Sequence, residues 1–154
     1  AQPSITVLKT VSIFSDPING TNNPNAAIPG AVMQYSIIAT NTGNGSPDAN
    51  SIAIVDPIPA HTAMYFDPYG APFTFTDGAT PSGLSCSFVS LGDPNDCIDF
   101  SNSGAPYVFN YTPAPVNGVD ANVTAIRIRP SGTMSAASGG NNPSFTVNFR
   151  VQVK

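Results

Sequence analysis

The chain has 154 residues, nine Asp, no Glu, five Lys plus Arg, and a formal net charge of −4. Only 9% of its residues are charged, where an ordinary soluble domain has roughly a quarter, so Asn, Ser, Thr and Gly must supply the solubility. The few basic residues, Lys9, Arg127, Arg129, Arg150 and Lys154, are scattered. That pattern leaves no footprint for nucleic acid or for an anionic membrane surface.

The length suits one domain with a core large enough to stand without staples. Twelve Val, twelve Ile, thirteen Thr and fourteen Phe plus Tyr stand against three Leu. β-branched and aromatic residues dominate and straight-chain helix formers are nearly missing, which predicts an all-β fold. No stretch approaches the ~20 apolar residues of a membrane helix, so no membrane insertion is expected. The opening Ala1-Gln2-Pro3 is what the mature side of a small-residue signal-peptidase site looks like.

In chain order, Ser4 to Phe14 reads as a strand with Ile5, Val7, Val11 and Ile13 on one face and Lys9 among them. Leu8 and Phe14 lie on its other face, so burial on both sides is expected. Asp16 to Ala27 is a run of Asp, Pro, Asn, Gly and Thr with one large apolar residue, Ile18, and reads as loop or linker. Fully extended, it reaches roughly 40 Å. From Val32 to Asn41, Met33, Tyr35, Ile37 and Ala39 alternate with Gln34, Ser36, Ile38 and Thr40, and Asn41-Thr42-Gly43-Asn44-Gly45 ends the run.

Ser51 to Val55 is a strand closed by Asp56-Pro57-Ile58-Pro59. Thr62–Phe66 and Pro72–Thr76 are short strands broken by Asp67-Pro68-Tyr69-Gly70, and Leu84–Leu91 is another, turning at Gly92-Asp93-Pro94-Asn95. Ala105 to Asn117, rich in Pro and aromatics, is an edge strand or an ordered loop. In Asn122–Arg129 the apolar phase changes between Val123 and Ile126, predicting a bulge near Thr124. After a Ser/Gly/Asn loop from Pro130 to Pro143, the chain ends in its cleanest alternation. Phe145, Val147, Phe149, Val151 and Val153 face in, and Thr146, Asn148, Arg150, Gln152 and Lys154 face out. Eight to ten short strands separated by turns predict a two-sheet antiparallel sandwich.

Cys86 and Cys97, the only cysteines, have ten residues between them. A disulfide closing so short a loop contributes roughly 2–3 kcal/mol. Two buried free thiols are the alternative. The bridge is favoured, and with it an oxidising, extracytoplasmic compartment.

Side chains for chemistry are sparse. His61 is the only histidine and Glu is absent, and no Gly-x-Ser-x-Gly elbow occurs among the sixteen serines. No catalytic residue, cofactor site or metal site is therefore assigned, and the chain is not expected to be an enzyme. Asp93, Asn95, Asp96 and Asp99 would suit calcium by ligand type, but their spacing is not that of a calcium loop, and solvated turn residues are the better reading. Tyr65, Phe66, Tyr69, Phe73 and Phe75 crowd one segment; core and turn positions are the better reading, the alternative being that Tyr69, in a Pro-Tyr-Gly turn, presents its ring to a sugar or a neighbouring subunit. Lys9 in an apolar strand is of the kind that forms Lys–Asn isopeptide links in some surface sandwiches. No buried carboxylate catalyst for such a link can be assigned, and an edge-facing lysine is the ordinary account. Asn19, Asn44, Asn110 and Asn122 each begin an N-x-Ser/Thr sequon.

Lys9-Thr10-Val11, the run Tyr35-Ser36-Ile37 to Asn41-Thr42-Gly43, and Val55-Asp56-Pro57-Ile58-Pro59-Ala60 together resemble the conserved-repeat domain of unknown function number eleven. These are immunoglobulin-like modules of prokaryotic surface proteins. The final pair of strands and the Cys86/Cys97 pair extend the resemblance over nearly the whole chain. One departure is His61, where the family more often has Gly, so a differently built turn is expected there. The resemblance implies a secreted immunoglobulin-like sandwich with structural or adhesive roles and no catalytic residues.

Such modules usually occur in tandem, and no internal repeat is present here. A single copy opening with a strand on a polar tether is similar to a donor-strand filament subunit, in which a terminal strand completes a neighbour's sheet. The expected organisation is a donor strand over residues 1–15, a linker over 16–27 and a sandwich over 28–154. Ile5, Val7, Leu8, Val11, Ile13 and Phe14 would then form the subunit interface, with further copies of the chain as the partner; the other reading of the same strand is that it folds back and closes its own sandwich. The alternative is a monomeric adhesive or carbohydrate-binding surface module with glycan ligands.

Overall fold

A computed structural model describes residues 1–66 and 70–154. Among the described residues there is no helix, and nine strands form two sheets whose named pairings are all antiparallel. The strands are β1 (Ile5–Ser15), β2 (Val32–Asn41), β3 (Ile54–Pro57), β4 (Thr62–Tyr65), β5 (Phe73–Asp77), β6 (Ile98–Ser101), β7 (Val119–Asp120), β8 (Ala125–Ile128) and β9 (Ser144–Val153). The larger sheet has the order β1-β2-β9-β4-β7, with β5 also on β9, and the smaller has the order β3-β8-β6. The all-β expectation holds.

β9 is the axis of the molecule. β2 runs along one of its edges from Thr40↔Ser144 to Val32↔Gln152, while β5 and then β4 share the other. A strand bonded on both edges and facing a second sheet must bury one complete row. Phe145, Val147, Phe149 and Val151 are fully buried, whereas Val153 at the end of the ladder is only partly so. Rings pair across this row: Tyr35 stacks on Phe149 with centroids 5.3 Å apart, and Phe75 on Phe145 at 4.9 Å. Ile98, Phe100, Ile126 and Ile128 of the smaller sheet close the core from above.

Several boundaries differ from the sequence reading. The third strand runs through Asp56 and Pro57, because β3 is the end strand of its sheet and its outer edge needs no N–H from proline. Leu84–Leu91 is no strand. Only Ser85 bridges to Ser131, and β6 forms further on. Residues 105–117 make an ordered loop, tied at Tyr111 N to Phe100 O. The phase change near Thr124 precedes β8, whose ladders to β3 and β6 run without a register shift. A bulge does occur between Ile13 and Ser15 of β1.

The polar run 16–27 is knotted around one carboxylate. Asp16 Oδ1 accepts the N–H groups of Ile18 and Asn19 at 2.8 and 2.6 Å, and Oδ2 accepts that of Ala26 at 2.7 Å. The Asn19 N–H leads in holding the Asp16 carboxyl below its ordinary range, outweighing burial, which acts the other way. A depressed folded-state pKa stabilises the loop at every pH above the unfolded value of about 3.9, and the stabilisation is lost as pH falls through the lower, folded value. Amide exchange of residues 18–26 is therefore expected to accelerate below about pH 4. With Asp16→Asn that acid step should vanish, and a step that persisted would place its origin elsewhere.

Candidate functional site: an uncovered edge strand

β1 forms because eight of its eleven residues are β-branched, aromatic or Leu in an alternating frame, and its ladder runs to β2 alone among the named strands. The inner row, Ile5, Val7, Lys9, Val11 and Ile13, stands opposite Asn41, Ala39, Ile37, Tyr35 and Met33. Burial on both faces, expected from the sequence, is not found. Val7, Leu8 and Val11 remain 58%, 60% and 51% exposed, and Ile5 and Phe14 are also exposed. The cause lies in the uneven sheets: the three-stranded sheet ends at β3, and among the described residues no strand beyond it covers the inner row of β1.

Lys9 bridges the gap at this corner. Its ammonium lies 2.6 Å from Asp56 Oδ1 of β3 and 4.7 Å from the centroid of the Tyr35 ring. Asp56 is buried, and its Oδ2 has no hydrogen-bond partner among the described residues. At the far end of the strand the Arg150 guanidinium lies over the Phe14 ring at 3.6 Å. The lysine singled out in the sequence thus meets an aspartate, not an asparagine.

The other end of β1 is clasped by Asn41, which is fully buried. Its Oδ1 accepts the N–H groups of Ser4 and Gly43 at 3.1 and 3.0 Å, and its Nδ2 donates to the carbonyls of Gly45 and Ser135 at 2.9 and 3.0 Å. Gln2 completes the clasp, donating its N–H to Asn44 Oδ1 and accepting that of Gly45. Glycine is required beneath it: a Cβ on Gly43 would stand 2.3 Å from Gln2 O, and one on Gly45 would stand 2.7 Å from Gln2 N. The Asn/Gly cluster, read from the sequence as a strand terminator, is therefore also the seat of residues 1–4.

The remaining candidates are structural in their contacts. Cys86 and Cys97 form the disulfide, Cα atoms 5.1 Å apart, linking the 85–87 segment to the start of β6. Asp93 accepts Asn95 N–H, and Asp96 accepts the N–H groups of Val89, Ser90 and Ile98. Asp99 is clamped by Arg127 and Arg129, and that contact heads the causes that raise the Arg129 guanidinium further above its ordinary value. The acidic residues are thus committed to turns and ion pairs, and no group of three metal-ligating side chains is found among the described residues. His61 has a φ of 64°, the left-handed conformation glycine takes without cost, so the turn keeps a glycine-type geometry. Asn19, Asn44, Asn110 and Asn122 are all exposed. Tyr69 lies outside the described residues.

The fold and this corner define an all-β, disulfide-linked chain with one long apolar edge strand left uncovered. No helix among the described residues is long and apolar enough to cross a membrane. No protein family, curated protein or solved structure gave a match to the chain.

Proposed function

We propose that the chain is a structural subunit of an extracellular filament, pilus-like fibre or surface layer, assembled by exchange of β1 between copies. The observation that carries this reading is the exposure of β1. A strand with apolar side chains uncovered on both rows, bonded along one edge only, gains burial when neighbouring copies pack around it. Exchange keeps the β1–β2 ladder and changes only which copy supplies each strand, with the 16–31 segment as the hinge. The disulfide and the scarcity of charge suit a secreted protein that works outside the cell. The immunoglobulin-like kinship implied by the sequence belongs to the same proposal.

Negative-stain micrographs of the purified, full chain at rising concentration test it. Filaments or ordered sheets are expected, and removal of residues 1–15 is expected to abolish them while leaving soluble protein. Monodisperse single copies at every concentration would sink the reading.

A further inference from the structure

Resting on the strand-exchange reading, we propose that Lys9 is the register key of β1: its pairing with Asp56 fixes where the strand seats in the β2/β3 corner that receives it. The inner row is Ile5, Val7, Lys9, Val11 and Ile13. Apart from Lys9, every member is a β-branched aliphatic residue. A shift of two residues along β2 keeps the row facing inward and exchanges one such side chain for another. The outer row, Thr6, Leu8, Thr10 and Ser12, discriminates little better, with three small hydroxyl residues among its four. Phe14 is the bulged residue, outside the continuous ladder, and its ring meets the Arg150 guanidinium at the strand's end and not the β3 wall.

The clasp at the strand's start is also tolerant. Every bond it makes to residues 1–4 goes to a main-chain group of Gln2 or Ser4, which any residue but proline offers. A ladder of this kind specifies its register weakly unless one position differs from the rest.

Lys9 is that position. In the observed register its ammonium reaches Asp56 and lies over Tyr35. Shifted two residues either way, Val7 or Val11 takes its place, and the Asp56 carboxylate is left in the sandwich wall without a counter-ion. Breaking an ion pair whose carboxylate partner is buried is strongly unfavourable, because the remaining charge stays desolvated. The pair therefore contributes selectivity among registers more than overall stability, as a lone polar residue does at a coiled-coil seam.

The register can be read by crosslinking. Val7 and Ala39 are direct partners, so the full chain carrying Val7→Cys and Ala39→Cys is oxidised mildly and run on a non-reducing gel. Near-complete crosslinking is expected with Lys9 in place. Adding Lys9→Val should cut the yield roughly threefold, as one register divides among three. The same fall is expected with Lys9→Val/Asp56→Asn, which also removes the stranded charge and so separates lost register from lost fold. Unchanged yield in both backgrounds overturns the register key. The size of the linked product tests the underlying reading separately. A ladder of joined chains supports exchange between copies. A band at the mass of one chain, with a yield that still depends on Lys9, keeps the key and sinks the exchange.

Discussion

Replacing Asn41 by alanine is expected to lower the unfolding free energy by about 3 kcal/mol or more, read as a drop in the urea midpoint at unchanged slope. The side chain is fully buried and serves four main-chain partners, the N–H groups of Ser4 and Gly43 and the carbonyls of Gly45 and Ser135. Alanine leaves all four to find other partners, and each group that stays buried without one costs ~1–3 kcal/mol. Water can re-solvate the N–H of Ser4, an exposed residue, which keeps the total below the simple sum. Asn41→Asp separates donors from acceptors. It retains the oxygen that receives Ser4 and Gly43 but removes both donated bonds and sets a carboxylate against two carbonyls, so it should be no milder than alanine. A loss under about 1 kcal/mol for both variants would mean that the clasp is solvated in solution.

The second large effect is at Phe149. Phe149→Ala should cost roughly 3–5 kcal/mol, with the near-UV dichroism of the tyrosines changing alongside the denaturation midpoint. The ring is fully buried at the centre of β9, between its register partners Tyr35 on β2 and Phe73 on β5. Collapse into the vacated volume is hard because both neighbouring strands are fixed by their ladders, so the cavity term should be paid nearly in full. Tyr35, which stacks on Phe149 and lies under the Lys9 ammonium, would lose support, so the loss should also be felt at β1. A cost near 1 kcal/mol would indicate that the two sheets can close on the gap.

What could be read in the sequence was whatever a single row of side chains determines. β2 and β9 bury one face, so Ile37, Ala39, Phe145, Val147 and Phe149 announce themselves by alternation. β6 escaped because Ile98, Asp99, Phe100 and Ser101 are all buried and no alternation survives; Asp99 is tolerated inside only through Arg127 and Arg129. β7 follows a tight turn at Asn117-Gly118, both at positive φ, with Val116 and Val119 bonded across it. That dipeptide is a strong hairpin signal and could have located the strand.

Asn41 left a fainter trace: a polar residue in phase with Ile37 and Ala39, where the pattern requires an inward side chain. The exposure of β1 had no local signal, since it depends on where the opposite sheet ends, which no stretch of β1 encodes. The pairing of Lys9 with Asp56 is non-local in the same way. Each residue could be noticed alone, a cation in an apolar row and an aspartate before proline, but only the packing of two sheets brings them within 2.6 Å.

The length of the β1–β2 ladder bears on how such a molecule withstands tension. Its ten register pairs run from Ile5↔Asn41 to Ser15↔Val32, parallel to β9. A pull entering at Ser15 and leaving through β9 acts along the strands, so the rungs are sheared and must give way together. The same rungs pulled sideways would peel one after another. Direction of loading, more than the number of bonds, would then decide whether this edge holds or opens.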